Sequence, residues 1–210
     1  MTECSYSVIS HTMPALLQKR PKIKSIDLPF EKPRYEGLTL SREEYLDLDE
    51  DGFKYDMIEG VLHLAPSGEF DHGKLQGNLI TEINIFLKKY SIGKAVTEID
   101  VFLPDGEDVV RPDVSFILSE NLHIVKTHIH GVPDLVCEVL SLGSMKRDLG
   151  VKAQRYLKNG VREYWIVYPK EKKIELWINK NKKEWNKLSS PILKSSLLKG
   201  FKINQKDFFK

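Results

Sequence analysis

The chain has 210 residues, 41% of them hydrophobic and 30% charged. That is room for one domain with a proper core and an ordinary composition for a soluble globular protein. No apolar run approaches the roughly 20 residues that span a bilayer, no secretory segment opens the chain, and two cysteines, Cys4 and Cys137, do not make a disulfide framework; a reducing cytoplasm and no membrane attachment are expected. The net charge of +2 hides an asymmetry. Residues 36–134 hold 20 acidic and 8 basic residues, and residues 170–210 hold 4 acidic and 12 basic. The basic end fits a polyanion partner, and a solvated lysine face explains it equally well.

Residues 1–35 carry prolines at 14, 21, 29 and 33 and read as an extended N-terminal arm. A single domain is expected over 36–210. In "LSREEYLDL" (40–48), Ser41 with Glu44 three positions on predicts a capping box and a short helix. "FKYDMIEGVLHLAP" (53–66) reads as a hairpin turning at Glu59–Gly60. Leu75, Leu79, Ile83, Phe86 and Leu87 recur at helical spacing and predict a long amphipathic helix over 71–90, ended by Gly93.

Three strand candidates follow: "KAVTEIDVFL" (94–103), "RPDVSFIL" (111–118) and "PDLVCEVLS" (133–141). The last two are nearly continuous in apolar residues, as central strands are. Residues 143–160 predict one helix, with Ser144 as N-cap and Asn159–Gly160 as its stop. "REYWIVYP" (162–169) and "KKIELWINK" (172–180) form a further hairpin, and the tail supplies a last apolar patch. The fold class is therefore α/β: helix, three strands, helix, strand, a mixed central sheet flanked by helices, with added hairpins at both ends.

Glu138 is out of place in a buried strand, where an unpaired charge costs several kcal/mol or shifts its pKa. Alternation puts Val136, Glu138 and Leu140 on one face and Cys137 on the other. If the strands of Asp113 and Glu138 are neighbours, the two carboxylates converge and suit a hard divalent cation such as Mg²⁺. A structural salt bridge is the plainer account of a lone buried Glu. The following helix carries Asp148, Lys152 and Tyr156 at intervals of four. A lysine there can position or deprotonate a water beside a phosphate; Asp148–Lys152 is also an ordinary i,i+4 pair worth roughly 0.2–0.5 kcal/mol. His123, His128 and His130 read as a solvated loop, and Cys137 as a small buried hydrophobe. Phosphate-loop, dinucleotide and serine-hydrolase motifs are absent.

"RPDVSFIL", "PDLVCEVLS", "RDLGVKAQRYLKNGVREYWIVYP" and "YDMIEG" with His72 after it resemble the "putative restriction endonuclease" family with a PD-(D/E)XK nuclease core. The resemblance covers about residues 38–210. It implies a restriction endonuclease-like fold and Mg²⁺- or Mn²⁺-dependent hydrolysis of phosphodiesters in DNA, and it is compatible with a homodimer. By position it implies Asp113 and Glu138 as metal ligands and Asp113, Glu138 and Lys152 as the catalytic set. Leu140 stands where the usual motif has lysine, and Lys152 resembles a lysine that has migrated to the next helix. His72, Asp56, Asp148 and Tyr156 match accessory positions. Lys172 and Lys173 are candidate nucleic-acid contacts. The competing reading is an inactive nucleic-acid-binding or scaffold protein that retains the fold.

Overall fold

The computed structural model describes residues 32–65 and 68–210; most of the expected N-terminal arm, residues 1–31, lies outside them. Residues 32–210 cluster as one compact unit. Helix α1 (Arg42–Leu46) opens it. Ser41 accepts from the Glu44 N–H, and the Glu44 carboxylate accepts from the Ser41 N–H at 2.7 Å, so the capping box forms in full. The hairpin β1 (Tyr55–Ile58) and β2 (Val61–Leu64) turns where expected, because Glu59 and Gly60 both take positive φ, 53° and 77°. Two left-handed residues in a row match the strand twist of a two-residue hairpin.

Helix α2 (Phe70–Tyr90) buries Leu75, Leu79, Ile83 and Leu87, the expected stripe. Its end differs from the expectation. Ser91, left-handed at φ 49°, caps it, and Gly93 instead starts β3 (Gly93–Thr97). A Cβ on Gly93 would press into the Phe116 ring and the Ile117 carbonyl, so glycine is needed for strand approach and not for helix termination.

The expected strand 94–103 is two strands. Glu98, at φ 51°, breaks it, and β4 (Val101–Phe102) leaves for another sheet. Then come β5 (Val109–Val110), β6 (Val114–Leu118), a 3₁₀ turn over Ser119–Ile124, β7 (Ile129–His130) and β8 (Leu135–Val139). The histidine segment is thus partly ordered, and His130 stacks on Phe102 at 4.7 Å.

The expected regular helix over 143–160 is three pieces. Helix α3 (Met145–Arg147) passes into a π-helical stretch (Asp148–Lys152) and then α4 (Ala153–Asn159). Gly160, at φ 98°, stops it as expected. The chain ends with β9 (Glu163–Tyr168), β10 (Lys173–Lys180), β11 (Glu184–Ser189), β12 (Ile192–Lys194), β13 (Lys202–Asn204) and α5 (Gln205–Phe208). Strand β11 leaves little mark in the sequence, because "EWNKLS" is mostly exposed and lacks an apolar alternation.

The central sheet has six strands in the order β11-β10-β9-β8-β6-β3 and is mixed: β8–β9 is parallel and the other pairs are antiparallel. The α3–π–α4 segment is the crossover that a parallel pair needs. A second sheet, β2-β1-β5-β4-β7, takes up the N-terminal hairpin, which is therefore more than an appendage. One core joins α2 and tail residues such as Leu198 and Phe201 to Phe116, Cys137 and Trp165 on one face of the central sheet. On the other face, Val136, Leu140 and Ile166 pack with Tyr156 of α4 and with Ile58, Val101 and Val110 of the second sheet. Glu138 lies between Val136 and Leu140, on this second face. Among the described residues no helix is long and apolar enough to cross a membrane.

Candidate active site

Strands β6 and β8 pair with Val114 opposite Cys137. One step further, Asp113 stands opposite Glu138, so both carboxylates leave the same face of the sheet. The hydrogen bonds agree. Val139 N–H donates to Asp113 Oδ2 at 2.6 Å, and Asp113 N–H lies 3.4 Å from Glu138 Oε2. His72, one turn into α2, brings Nε2 to 3.2 Å from Asp113 Oδ2, and this hydrogen bond raises the imidazole pKa.

The other carboxylate oxygen of Glu138 meets the crossover helix. Lys152 Nζ is 2.6 Å from Oε1, and the Tyr156 hydroxyl donates to Oε1 at 2.9 Å. Lys152 is also 3.5 Å from Asp148 and 3.5 Å from Asp56. Asp56 arrives from β1, where alternation turns Tyr55 and Met57 outward into a separate cluster. It accepts from the Arg111 N–H at 2.9 Å and faces Arg147 at 3.3 Å. Only 3% of Lys152 and 3% of Glu138 is exposed, so these are interior charges that survive by pairing.

Burial pushes the Glu138 carboxyl well above its ordinary range, with Lys152 pulling the other way. Asp148 is raised for the same reason, also against Lys152. Burial alone would lower the Lys152 amine, but Asp56, Glu138 and Asp148 outweigh it and hold the amine well above its usual value. Burial likewise raises the Tyr156 hydroxyl, and Glu138 adds to it. Lys152 is therefore an ammonium wedged among three carboxyls, and Tyr156 is a hydrogen-bond donor.

These groups line or underlie one cleft of about 400 Å³. It brings together Asp56, His72, Asp113, Glu138, Asp148 and Lys152, with Tyr156 beneath through its bond to Glu138. Lys172 and Lys173 are not in it. They sit at the β9–β10 turn, with Lys173 paired to Glu175 at 2.7 Å and lying over the Tyr168 ring. That turn is near the cleft, since Pro169, Lys170 and Glu171 line an adjoining recess that shares His72 with it.

Arg111, Arg147, Glu98 and Gln76 also line the cleft, without a role legible in the sequence. Arg111 and Arg147 stand inside "RPD" and "RDLGVK", but Arg111 reaches Asp100 on the other side of β5 and Arg147 reaches Asp56, 91 residues back, so neither pairing is local. Gln76 donates to the Asp113 carbonyl at 3.0 Å, and nothing local in sequence signals that bond. The π-helical stretch also left no sequence mark; such stretches recur at functional sites, and this one carries Asp148 and Lys152 at its two ends.

Among the described residues no group of three or more His, Cys, Asp or Glu side chains is gathered to hold a metal ion. The donors present are two opposed carboxylates with no thiol. That set fits Mg²⁺, which binds through one or two carboxylates and keeps several waters for substrate oxygens to replace.

Residues 42–204 match the family model "Uma2: Putative restriction endonuclease". Among solved structures, the chain is similar to "a putative nuclease belonging to DUF820 from Anabaena variabilis ATCC 29413", with a TM-score of 0.70 and 21% identity over 81% of this chain and 97% of that one. At that identity the likeness speaks for the fold, which is the expected nuclease-type α/β architecture. No curated protein matches the chain.

Proposed function

Starting from the chain's membership in the Uma2 family of "putative restriction endonucleases", which supports a nuclease, we propose that it is a metal-dependent endonuclease hydrolysing phosphodiester bonds of DNA. The observation that carries this reading is the juxtaposition of Asp113 and Glu138 across β6 and β8, with Lys152 Nζ 2.6 Å from Glu138.

Asp113 and Glu138 would hold Mg²⁺ or Mn²⁺, which when bound polarises a phosphoryl oxygen and lowers the pKa of a water. The chain's own groups set the rest. Tyr156 and Lys152 fix Glu138 Oε1, and Val139 N–H and His72 fix Asp113 Oδ2, so neither carboxylate is free to swing. Lys152 serves as a cation: it orients water by donation and offsets charge building on the phosphorus oxygens. We assign it this role rather than that of a base because three carboxyls lie within 3.5 Å of its amine. Arg147 and Arg111 add positive charge to the cleft wall, where a phosphate would otherwise meet mostly acids.

The alternative of an inactive binding protein is less well supported, because Asp113, Glu138 and Lys152 are all present and assembled. The test is nicking of supercoiled plasmid with Mg²⁺, Mn²⁺ or EDTA, using wild type and Glu138→Ala. The expected result is metal-dependent nicking that Glu138→Ala abolishes. No cleavage of the plasmid or of a single-stranded circle with either metal, or equal cleavage by the variant, overturns the reading.

A further inference from the structure

A second recess, of about 230 Å³, opens from the cleft on the His72 side and shares Glu69, His72 and Ser141 with it. Its apolar surface comes from Leu140, Leu142, Met145 and Pro169. Glu69, Asp71 and Glu171 on its lining outnumber Lys170 and His72. An apolar floor with a net acidic rim repels phosphate. It suits a flat, neutral group that donates hydrogen bonds, as the exocyclic amines of adenine, cytosine and guanine do.

Exposed apolar side chains line both cavities, and one more neighbours recess residues in sequence. Leu142 is 75% exposed on the recess, and Phe70 is 86% exposed between Glu69 and Asp71, which both line it. Phe53, 37% exposed, lines the main cleft. A fully paired duplex turns phosphates outward and hides its base faces, so it gives these side chains nothing to cover. A strand with an unstacked base does, because every base has a face that stacks on aromatic and apolar groups.

We propose that the recess receives an unpaired nucleobase next to the scissile phosphate, so that the enzyme acts on single-stranded or locally unpaired DNA. This rests on the nuclease reading of the cleft and names its substrate class. Leu142, Met145 and Pro169 would support the base, and Phe70 would stack on its neighbour. The acids of the rim would accept from its amine.

The test uses one 30-nucleotide sequence as a single strand, as a blunt duplex, and as a duplex with a central unpaired bubble. Binding is read by anisotropy in Ca²⁺ and cleavage in Mg²⁺ or Mn²⁺, for wild type, Phe70→Ser and Leu142→Ser. Both replaced side chains are solvent-exposed, so the variants keep the fold, which circular dichroism checks. The single strand and the bubble should be bound and cut about tenfold or more better than the duplex, with cuts at the unpaired segment. Each variant should lose most of that preference while duplex binding stays within about twofold. A wild type that treats the duplex as well as the single strand, or variants with an unaltered preference, overturns the proposal. If nothing is cut, the nuclease reading fails on its own, and the anisotropy arm still decides whether the recess selects an unpaired strand.

Discussion

Lys152 Nζ and Glu138 Oε1 lie 2.6 Å apart, both side chains almost wholly buried, with Asp56 and Asp148 each 3.5 Å from the same ammonium. Lys152 therefore meets carboxyls from three parts of the chain, β1, β8 and the π-helical stretch, and shares the Asp56 carboxylate with Arg147, 3.3 Å away. This makes Lys152 as much a part of the folded interior as of any chemistry.

Lys152→Met accordingly does more than lower turnover. An isolated i,i+4 pair with Asp148 would be worth only about 0.2–0.5 kcal/mol, but Lys152 is buried against three carboxyls. Taking away one member of a buried charge pair costs about 3–5 kcal/mol, because its partners are left uncompensated. Urea denaturation should show a loss of that size for Lys152→Met. Adding Glu138→Gln should return part of it, since one acid is then neutral. A single variant as stable as wild type would show that the ammonium does not balance the cluster. Cleavage should fall by about 10²–10⁴-fold in the single variant, assayed well below its own melting temperature.

The sequence disclosed the core order because each step had a local cause. The capping box at Ser41, the left-handed pair at Glu59–Gly60 and the apolar stripe of α2 depend on neighbours within a few residues. The pairing of Asp113 with Glu138 was legible because alternation and strand adjacency suffice to infer it. What remained hidden was set by distant parts of the chain. Gly93 reads as a helix stop until Phe116 and Ile117 are seen against it. Arg147 has no role legible in the sequence until Asp56 and the Leu64 carbonyl, 2.9 Å from its guanidinium, arrive from the second sheet.

Glu163 shows the same lesson with a different outcome. It belongs to the "REYW" string that resembles a family motif, yet it is far from the cleft chemistry. Fully buried at the start of β9, it accepts from the Trp165 indole at 2.9 Å, the Ser195 hydroxyl at 2.8 Å, and both the Ser196 N–H and hydroxyl, at 2.7 and 2.6 Å. It pins the 195–198 turn to the sheet. Glu163→Ala orphans two buried donors, the Trp165 indole and the Ser195 hydroxyl, at about 1–3 kcal/mol each, and should lower stability by about 2–6 kcal/mol. Glu163→Gln keeps the shape and one acceptor oxygen and should cost less. The ranking is read from denaturant midpoints, and equal midpoints for the two variants would contradict it.

Gly93→Ala tests the close approach of β3 to β6. The added methyl has no flexible neighbour to displace, since it meets a backbone carbonyl and a buried ring. Overpacking of this kind costs about 1–3 kcal/mol. Gly73→Ala in α2, where the added methyl meets open space, is the control and should be neutral or stabilising by up to about 1 kcal/mol. Thermal melts that move together in the two variants would remove the steric account of Gly93.

The lysines of the β9–β10 turn are a separate question from the cleft. Lys172 is exposed and left-handed at φ 49°, while Lys173 is tied to Glu175 and to the Tyr168 ring. Pro169, Lys170 and Glu171 of their turn line the adjoining recess. If they touch the phosphate backbone, each neutralised phosphate releases counterions and steepens the fall of affinity with salt. Replacing both by Glu should then weaken DNA binding for many sequences alike and flatten the plot of log affinity against log salt by about one unit for each lysine–phosphate pair removed. Lys172 should account for more of this than Lys173, whose charge is already partnered. An unchanged slope in the double variant would leave both as a solvated face and place the strand's exit elsewhere on the molecule.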